Sequence, residues 1–194
     1  PTNMSHPAVV NFAPEKHSVE LRDLPEPEIG PEDVLLEVAA VGVCGSDLHL
    51  YELFGPYLGK GDVLGHEPIG IVEAVGAEVT EIKPGDRVVI PFNISCGHCW
   101  MCGNGLQSQC ETTQVREHGT GGALFGYTKL YGQAPGGQAE LLRVPRPSTA
   151  RLRYPRARLT SAFCSSRTCC PPPGRRWPTP MFPPGVASPC WGSV

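Results

Sequence analysis

Asp33-Val34-Leu35-Leu36-Glu37-Val38 is the stretch on which the fold turns. Alternation puts Val34, Leu36 and Val38 on one face of a strand, and their apolar, largely β-branched side chains suit a half-buried sheet. The same texture returns on either side, giving candidate strands at Ser18–Leu21, Asp33–Val43, Gly70–Val75, Asp86–Pro91 and Gln138–Val144. Turn chemistry separates them, as in Pro25-Glu26-Pro27 before Gly30-Pro31 and in Lys83-Pro84-Gly85-Asp86. Proline presets one torsion there and glycine permits a positive φ at the next. Short, closely spaced strands predict a mainly β fold, a small irregular barrel with helix confined to a turn after Cys44. No internal repeat interrupts it.

Charge divides the chain in two. Residues 1–144 hold 8 basic and 19 acidic residues, a balance of −11, whereas 145–194 hold 8 Arg, no Lys and no acid. Eleven of the 22 Pro fall in the same stretch, and a packed domain does not take that composition. The expected organisation is therefore a disordered start at 1–7, one domain at 8–144, and a disordered Arg/Pro-rich tail at 145–194. No apolar run approaches the roughly 20 residues of a membrane helix, and no charged-then-apolar leader opens the chain. A soluble cytoplasmic protein with no membrane partner is expected.

Cys96, Cys99, Cys102 and Cys110 are spaced C-x2-C-x2-C-x7-C, four thiols within 15 residues. Tetrahedral zinc takes four thiolates at about 2.3 Å, and loops this short turn consecutive ligands inward around one ion. Two disulfides are the competing use, and a reducing cytosol disfavours them. With four protein ligands no position is left for water or substrate, so this zinc is structural. His98, between two of the ligands, is expected to be a solvated loop residue.

A second group is looser. Cys44-Gly45-Ser46-Asp47-Leu48-His49 and Gly65-His66-Glu67 offer a thiolate, an imidazole and a carboxylate, but no closed set of four. A catalytic zinc needs such an incomplete protein shell, because its open position takes the substrate oxygen. A lone Cys or His is as readily a packed core residue, and spacing alone leaves both uses open.

Taken in order, Gly42 to His49, Gly65-His66-Glu67-Pro68-Ile69-Gly70, Gly85-Asp86-Arg87-Val88 and the four-cysteine lobe resemble the zinc-containing medium-chain alcohol dehydrogenases. The resemblance covers residues 8–144, which correspond to the GroES-like catalytic domain of that family. Pro91 to Cys96, and the stretch from Gly126-Tyr127 to Gly136-Gly137-Gln138-Ala139-Glu140, resemble its formaldehyde-dehydrogenase-like branch. The resemblance implies that Cys44 and His66 bind a catalytic zinc, with Glu67 beside the metal as an alternate ligand. It implies that Ser46 accepts the alcohol proton and that His49 ends a relay to solvent, as suits an imidazole titrating near neutrality. Asp47 would orient a ligand histidine, a use compatible with capping a helix after Cys44. The implied cofactors are one structural zinc, one catalytic zinc and, in the intact parent, NAD(P) as hydride acceptor. The implied partners are a small alcohol or aldehyde, met by loop residues such as Tyr51, Phe54 and Tyr57, and a second copy of the parent in a homo-oligomer.

In the resembled family the third ligand of the catalytic zinc and the whole Rossmann domain follow the point where this chain changes character. No G-x-G-x-x-G occurs here, and Gly119-Thr120-Gly121-Gly122, the nearest imitation, is not set between a strand and a helix. A Rossmann domain is therefore not expected within this chain, which would be a truncated and inactive dehydrogenase. A shifted reading frame accounts for the tail. Codons built from the third base of one residue and the first two of the next are forced at six places. Phe163-Cys164, Cys169-Cys170 and Cys190-Trp191 give Leu, Trp177-Pro178 gives Ala, Met181-Phe182 gives Val and Trp191-Gly192 gives Gly. Degenerate positions then allow L-S-D-V-L-P, with its aspartate across Arg167 and Thr168, and a final V-A-V-L-G-L-G, the form of a first Rossmann strand.

Two other classes compete. A non-enzymatic zinc-binding interaction module leaves Cys44, Ser46, His49 and His66 without a task. A nucleic-acid binder would use the tail of +8, but the globular part carries −11 and the tail interleaves Pro rather than stacking aromatics. Sequencing the codons for Arg143 to Val194 decides the tail. A neighbouring frame should continue into a strand, G-x-G-x-x-G and a helix, and stops in every other frame would make the basic tail a genuine segment.

Overall fold

A computed structural model describes residues 5–11, 17–52, 57–147 and 152–153. Among them, seven strands and two short α-helices run in the order β1 (Ser5–Asn11), β2 (Val19–Pro25), β3 (Asp33–Val41), α1 (Gly45–Glu52), β4 (Pro68–Val75), β5 (Arg87–Val89), α2 (Trp100–Gly103), β6 (Leu141–Pro145) and β7 (Leu152–Arg153). Strands β1 and β2 form an antiparallel ribbon, and the rest form a five-stranded antiparallel sheet in the order β6-β3-β4-β5-β7. Isolated bridges from Ala8 to Ala139 and from Val10 to Val63 tie the ribbon to the larger unit. The mainly β expectation holds.

The alternating face read at Asp33–Val38 is where the core sits. Val34 and Leu36 are buried with Val72, Val88, Ile90, Ile94, Phe125, Leu142 and Val144, and Val38 packs against their margin. Leu35, on the opposite face, is buried as well, so the centre of β3 is covered on both sides. Strand β2 differs: most of its residues are exposed and Leu21 is 72% accessible, so its apolar residues contribute little to the core.

Three boundaries are corrected. Ser5, His6 and Pro7, assigned from sequence to a disordered start, lie in β1, held by pairing with Leu24, Asp23 and neighbours along β2. The domain runs past Val144: Pro145 pairs with Asp33, and Leu152 and Arg153 pair with Val89 and Val88. The change of charge thus marks a change of composition and not the end of strand pairing. The turn expected after Cys44 is a helix of two turns, α1. Residues 154–194, most of the predicted tail, and Phe54 lie outside the described residues.

Leu36 is fully buried in the strand that both β4 and β6 pair with. Leu36→Ala should cost about 2–5 kcal/mol in urea unfolding, by lost burial and the cavity left behind. Leu21→Ala, on the exposed ribbon, should stay within about 0.5 kcal/mol of the parent.

Candidate metal centres

Strand register assembles the first centre. Val41 at the end of β3 pairs with Pro68 at the start of β4, and the Gly42 amide donates to the Glu67 carbonyl at 3.1 Å. Residues just beyond those two paired ends must therefore meet, and Cys44 and His66-Glu67 are those residues. One donor atom each from Cys44, His66 and Glu67 lies within 4.8 Å of the others, close enough to converge on one ion. Cys44 and Glu67 are half-buried and His66 is buried.

Asp47 joins the pieces. Gly45 opens α1, so Cys44 stands at its N-cap and Asp47 three residues later, where an acid can reach back to the cap amide. Asp47 Oδ2 accepts from the Cys44 amide at 2.8 Å, and the Asp47 amide donates to the Cys44 carbonyl at 3.1 Å. The other oxygen, Oδ1, stands 3.4 Å from His66 Nδ1. Neither atom of that pair has a hydrogen-bond partner among the described residues, although both side chains are buried. A buried carboxylate and imidazole so placed fit a histidine whose Nδ1 faces an acid and whose Nε2 is left for a metal. Burial lowers the affinity of His66 for a proton, but Asp47 and then Cys44 outweigh it and raise the imidazole to about 9. A metal must displace that proton, since only neutral imidazole is a ligand.

The remaining predicted residues fall on or near α1. Ser46 is half-buried, and its Oγ accepts a long contact from Cys44 Sγ at 3.9 Å. His49 is exposed and follows Ser46 by three positions, so the two neighbour each other along the helix surface. Asp47 and Leu50 occupy the buried side. Tyr51 packs on His17 with ring centroids 4.6 Å apart, and Tyr57 is 44% exposed.

The second centre lies in the connection between β5 and β6. One sulfur each from Cys96, Cys99, Cys102 and Cys110 lies within 4.8 Å of the other three, and Cys99 Sγ and Cys110 Sγ are 3.9 Å apart. A tetrahedral zinc with bonds of about 2.3 Å places its sulfurs roughly 3.8 Å apart. Donors already point at these sulfurs: the Cys96 amide reaches Cys110 Sγ at 3.3 Å, the Cys99 amide and Thr112 hydroxyl reach Cys96 Sγ at 3.3 and 3.2 Å, and the Cys102 amide reaches Cys99 Sγ at 3.5 Å. Burial opposes ionisation of Cys110, yet the Cys96 amide and hydrogen bonds from Thr113 and Thr112 bring its thiol down to about 6. Cys96 is lowered likewise, against burial, by Thr112 and by the amides of His98 and Cys99. Cys102 is pushed up to about 12, by burial and then by the neighbouring sulfurs. Four thiolates this close need a cation to coexist, and zinc supplies two positive charges. His98 is exposed, its Nδ1 2.9 Å from the Cys96 carbonyl, and it stands outside the ligand set as expected.

Residues 30–154 match the alcohol dehydrogenase GroES-like domain. The chain belongs to that family. It is 48% identical over 139 residues to the uncharacterized zinc-type alcohol dehydrogenase-like protein AdhB of Bacillus subtilis, covering 71% of this chain and 36% of the relative. Among solved structures it is similar to alcohol dehydrogenase TADH from Thermus sp. ATN1, at 41% identity and a TM-score of 0.63, over 73% of this chain and 38% of that one. It is also similar to the alcohol dehydrogenase rspB of Escherichia coli CFT073, complexed with NADH, at 28% identity and a TM-score of 0.60, over 79% of this chain and 39% of that one. This GroES-like domain therefore spans little more than a third of the curated relative it matches.

One residue of the domain's first centre escaped the sequence reading of the site. The Tyr127 ring meets His66 edge-on, with centroids 5.5 Å apart and planes at 67°. Its only sequence signal was the Gly126-Tyr127 pair, which bears on family likeness and says nothing of a contact across the chain.

The Asp47–His66 pair has a pH signature. His66 is raised from 6.5 to about 9 on folding, so the folded domain binds the extra proton between those values. That stabilisation is fully present below the unfolded value and is lost as pH rises through the folded one. With zinc in the four-cysteine lobe only, the stability difference between parent and Asp47→Asn should shrink as pH rises from 6.5 to about 9. Denaturant unfolding across that range measures it, and a flat difference would remove the pair.

Proposed function

We propose that this chain carries the metal-binding catalytic portion of a zinc-dependent alcohol dehydrogenase, the complete form of which moves hydride from an alcohol carbon to NAD(P). The observation that supports it most is the bifunctional Asp47 carboxylate, one oxygen on the Cys44 amide and the other 3.4 Å from His66 Nδ1. A structural histidine gains only a buried ion pair from that arrangement, whereas a metal ligand needs its ring held and its tautomer set.

Cys44, His66 and Glu67 would hold the catalytic zinc, and the four lobe cysteines the structural one. When bound, the catalytic ion supplies Lewis acidity toward an alcohol oxygen, easing loss of its proton near neutral pH. The chain's own residues handle that proton. The Ser46 hydroxyl, on the first turn of α1 beside the Cys44 sulfur, accepts it, and exposed His49, one turn on, exchanges it with water. Asp47 keeps His66 in the Nδ1-protonated tautomer, which leaves Nε2 free for the metal.

The same reading includes a cytoplasmic setting, which the lack of a disulfide among the described cysteines favours, a homo-oligomeric parent and the formaldehyde-dehydrogenase-like branch. Among the described residues no helix is long and apolar enough to cross a membrane. The relative complexed with NADH supports a nicotinamide acceptor. In this chain the glycine-rich Gly119–Gly122 belongs to the lobe, where the Gly122 amide donates to Ser108 O at 2.8 Å, and no strand leads through it into a helix. The change of frame expected from residue 145 is moved beyond β7, and we read residues 154–194 as translated out of frame, so the chain as it stands would bind zinc without turning over alcohol. The match to the family domain through residue 154 supports a frame that holds as far as β7.

Zinc counting tests the site. Purified protein should hold two zinc ions per chain, and Cys44→Ser should hold one with the fold kept. Neither should generate NADH from alcohols, whereas a gene with the neighbouring frame restored should. One zinc in the parent chain, or turnover by it, would overturn the corresponding half of the proposal.

A further inference from the structure

His66 sits in a turn that the later chain grips by its backbone. The Gly137 amide donates to the Gly65 carbonyl at 2.7 Å, the Gly136 amide to Val63 O at 2.8 Å, and the Gln138 amide to Leu64 O at 2.9 Å. Such an approach requires residues without side chains. A Cβ on Gly126 would fall 2.6 Å from the Gly65 backbone, and one on Gly136 would fall 2.3 Å from Leu64 O. Gly126 also has a φ of +60°, a conformation glycine adopts without strain. The Gly126-Tyr127 and Gly136-Gly137-Gln138 motifs, read from the sequence only as family likeness, therefore clasp Gly65-His66 from one side. Asp47 faces the imidazole through Nδ1.

Between these two restraints the ring also has an aromatic neighbour. Tyr127 meets it edge-on at 5.5 Å, packs against Leu50, Leu58 and Leu64, and is braced by Tyr131 at 5.6 Å and 83°. Asp47 faces Nδ1 across 3.4 Å without a hydrogen bond, so it does not by itself stop the ring from tilting about its bond to the chain. An aromatic ring packed across it does, since edge-to-face pairs are favoured beyond the area they bury.

We propose that Tyr127 is a positioning residue for His66, its ring holding the imidazole plane so that Nε2 stays aimed where the Cys44 and Glu67 donors converge. The inference rests on the two-metal reading above. What Tyr127 contributes is the aromatic ring, so Phe should replace it and an aliphatic residue of similar bulk should not.

The test uses the full chain, with cobalt(II) as the probe metal. The four-cysteine lobe and the Cys44–His66 site give distinct charge-transfer and d–d absorption, so the two can be titrated separately. Tyr127→Leu should weaken the Cys44–His66 site about tenfold and alter its d–d bands while leaving the lobe unchanged, and Tyr127→Phe should restore both. A purely structural role would lower Tm in Tyr127→Leu without changing the cobalt spectrum or the affinity of that site. A parent-like spectrum and affinity would therefore overturn the inference while the two-metal reading stands. A parent chain that takes up one cobalt only would overturn both. Should Tyr127→Leu not fold, the unaltered chain still decides: the Tyr127 ring resonances should respond to zinc at the Cys44–His66 site and not to zinc in the lobe, and the absence of that response would overturn the inference.

Discussion

The Asp47 carboxylate is the interaction on which the candidate catalytic site depends. It is 4% exposed, and a charge so far from water persists only where something answers it. One oxygen caps α1 and the other answers His66, so the start of a helix and the entry to β4 are held by a single group. Losing it would free the helix end, leave an imidazole without its counter-charge and let the two halves of the donor set drift. Strand pairing brings the halves together, through Val41 and Pro68, and Asp47 sets their orientation.

The two candidate metal centres illustrate opposite solutions to the same chemistry. In the lobe, amides and the Thr112 hydroxyl are spent on sulfur, and four thiols converge with no position left over. At Cys44 and His66 the protein offers three donors of three kinds, so an ion there would retain room for an exogenous oxygen. Closed and open shells thus separate on ligand count alone, before any partner domain is considered.

Much of this was legible in the residues. The alternation at Val34, Leu36 and Val38 located the main core, and the cysteine spacing located the lobe, because both signals are local. Cys44 and His66 were harder, since 21 residues separate them in sequence and only the β3–β4 register shows that they meet. Strand β1 was invisible for a different reason: Ser5-His6-Pro7 carries a proline and a polar pair, and its order comes from pairing with β2 rather than from propensity. Tyr127 could not be found at all from pattern, because an edge-on ring contact leaves no trace in sequence spacing. The domain's far boundary misled because Arg and Pro enrichment begins before strand pairing stops.

The lobe has a further property that follows from its interior. The buried cluster there consists of Cys96, Cys102 and Cys110, with Cys99 at its edge, so the ligands are themselves the core. Without an aliphatic interior, the free energy of local opening would come from a bound zinc and grow with the logarithm of free zinc over its dissociation constant. Amide exchange and proteolysis in this segment would then report zinc supply, while the Leu36 core of the same domain stays shut. With zinc bound there, opening of that one loop would follow metal supply while the sheet kept its own stability.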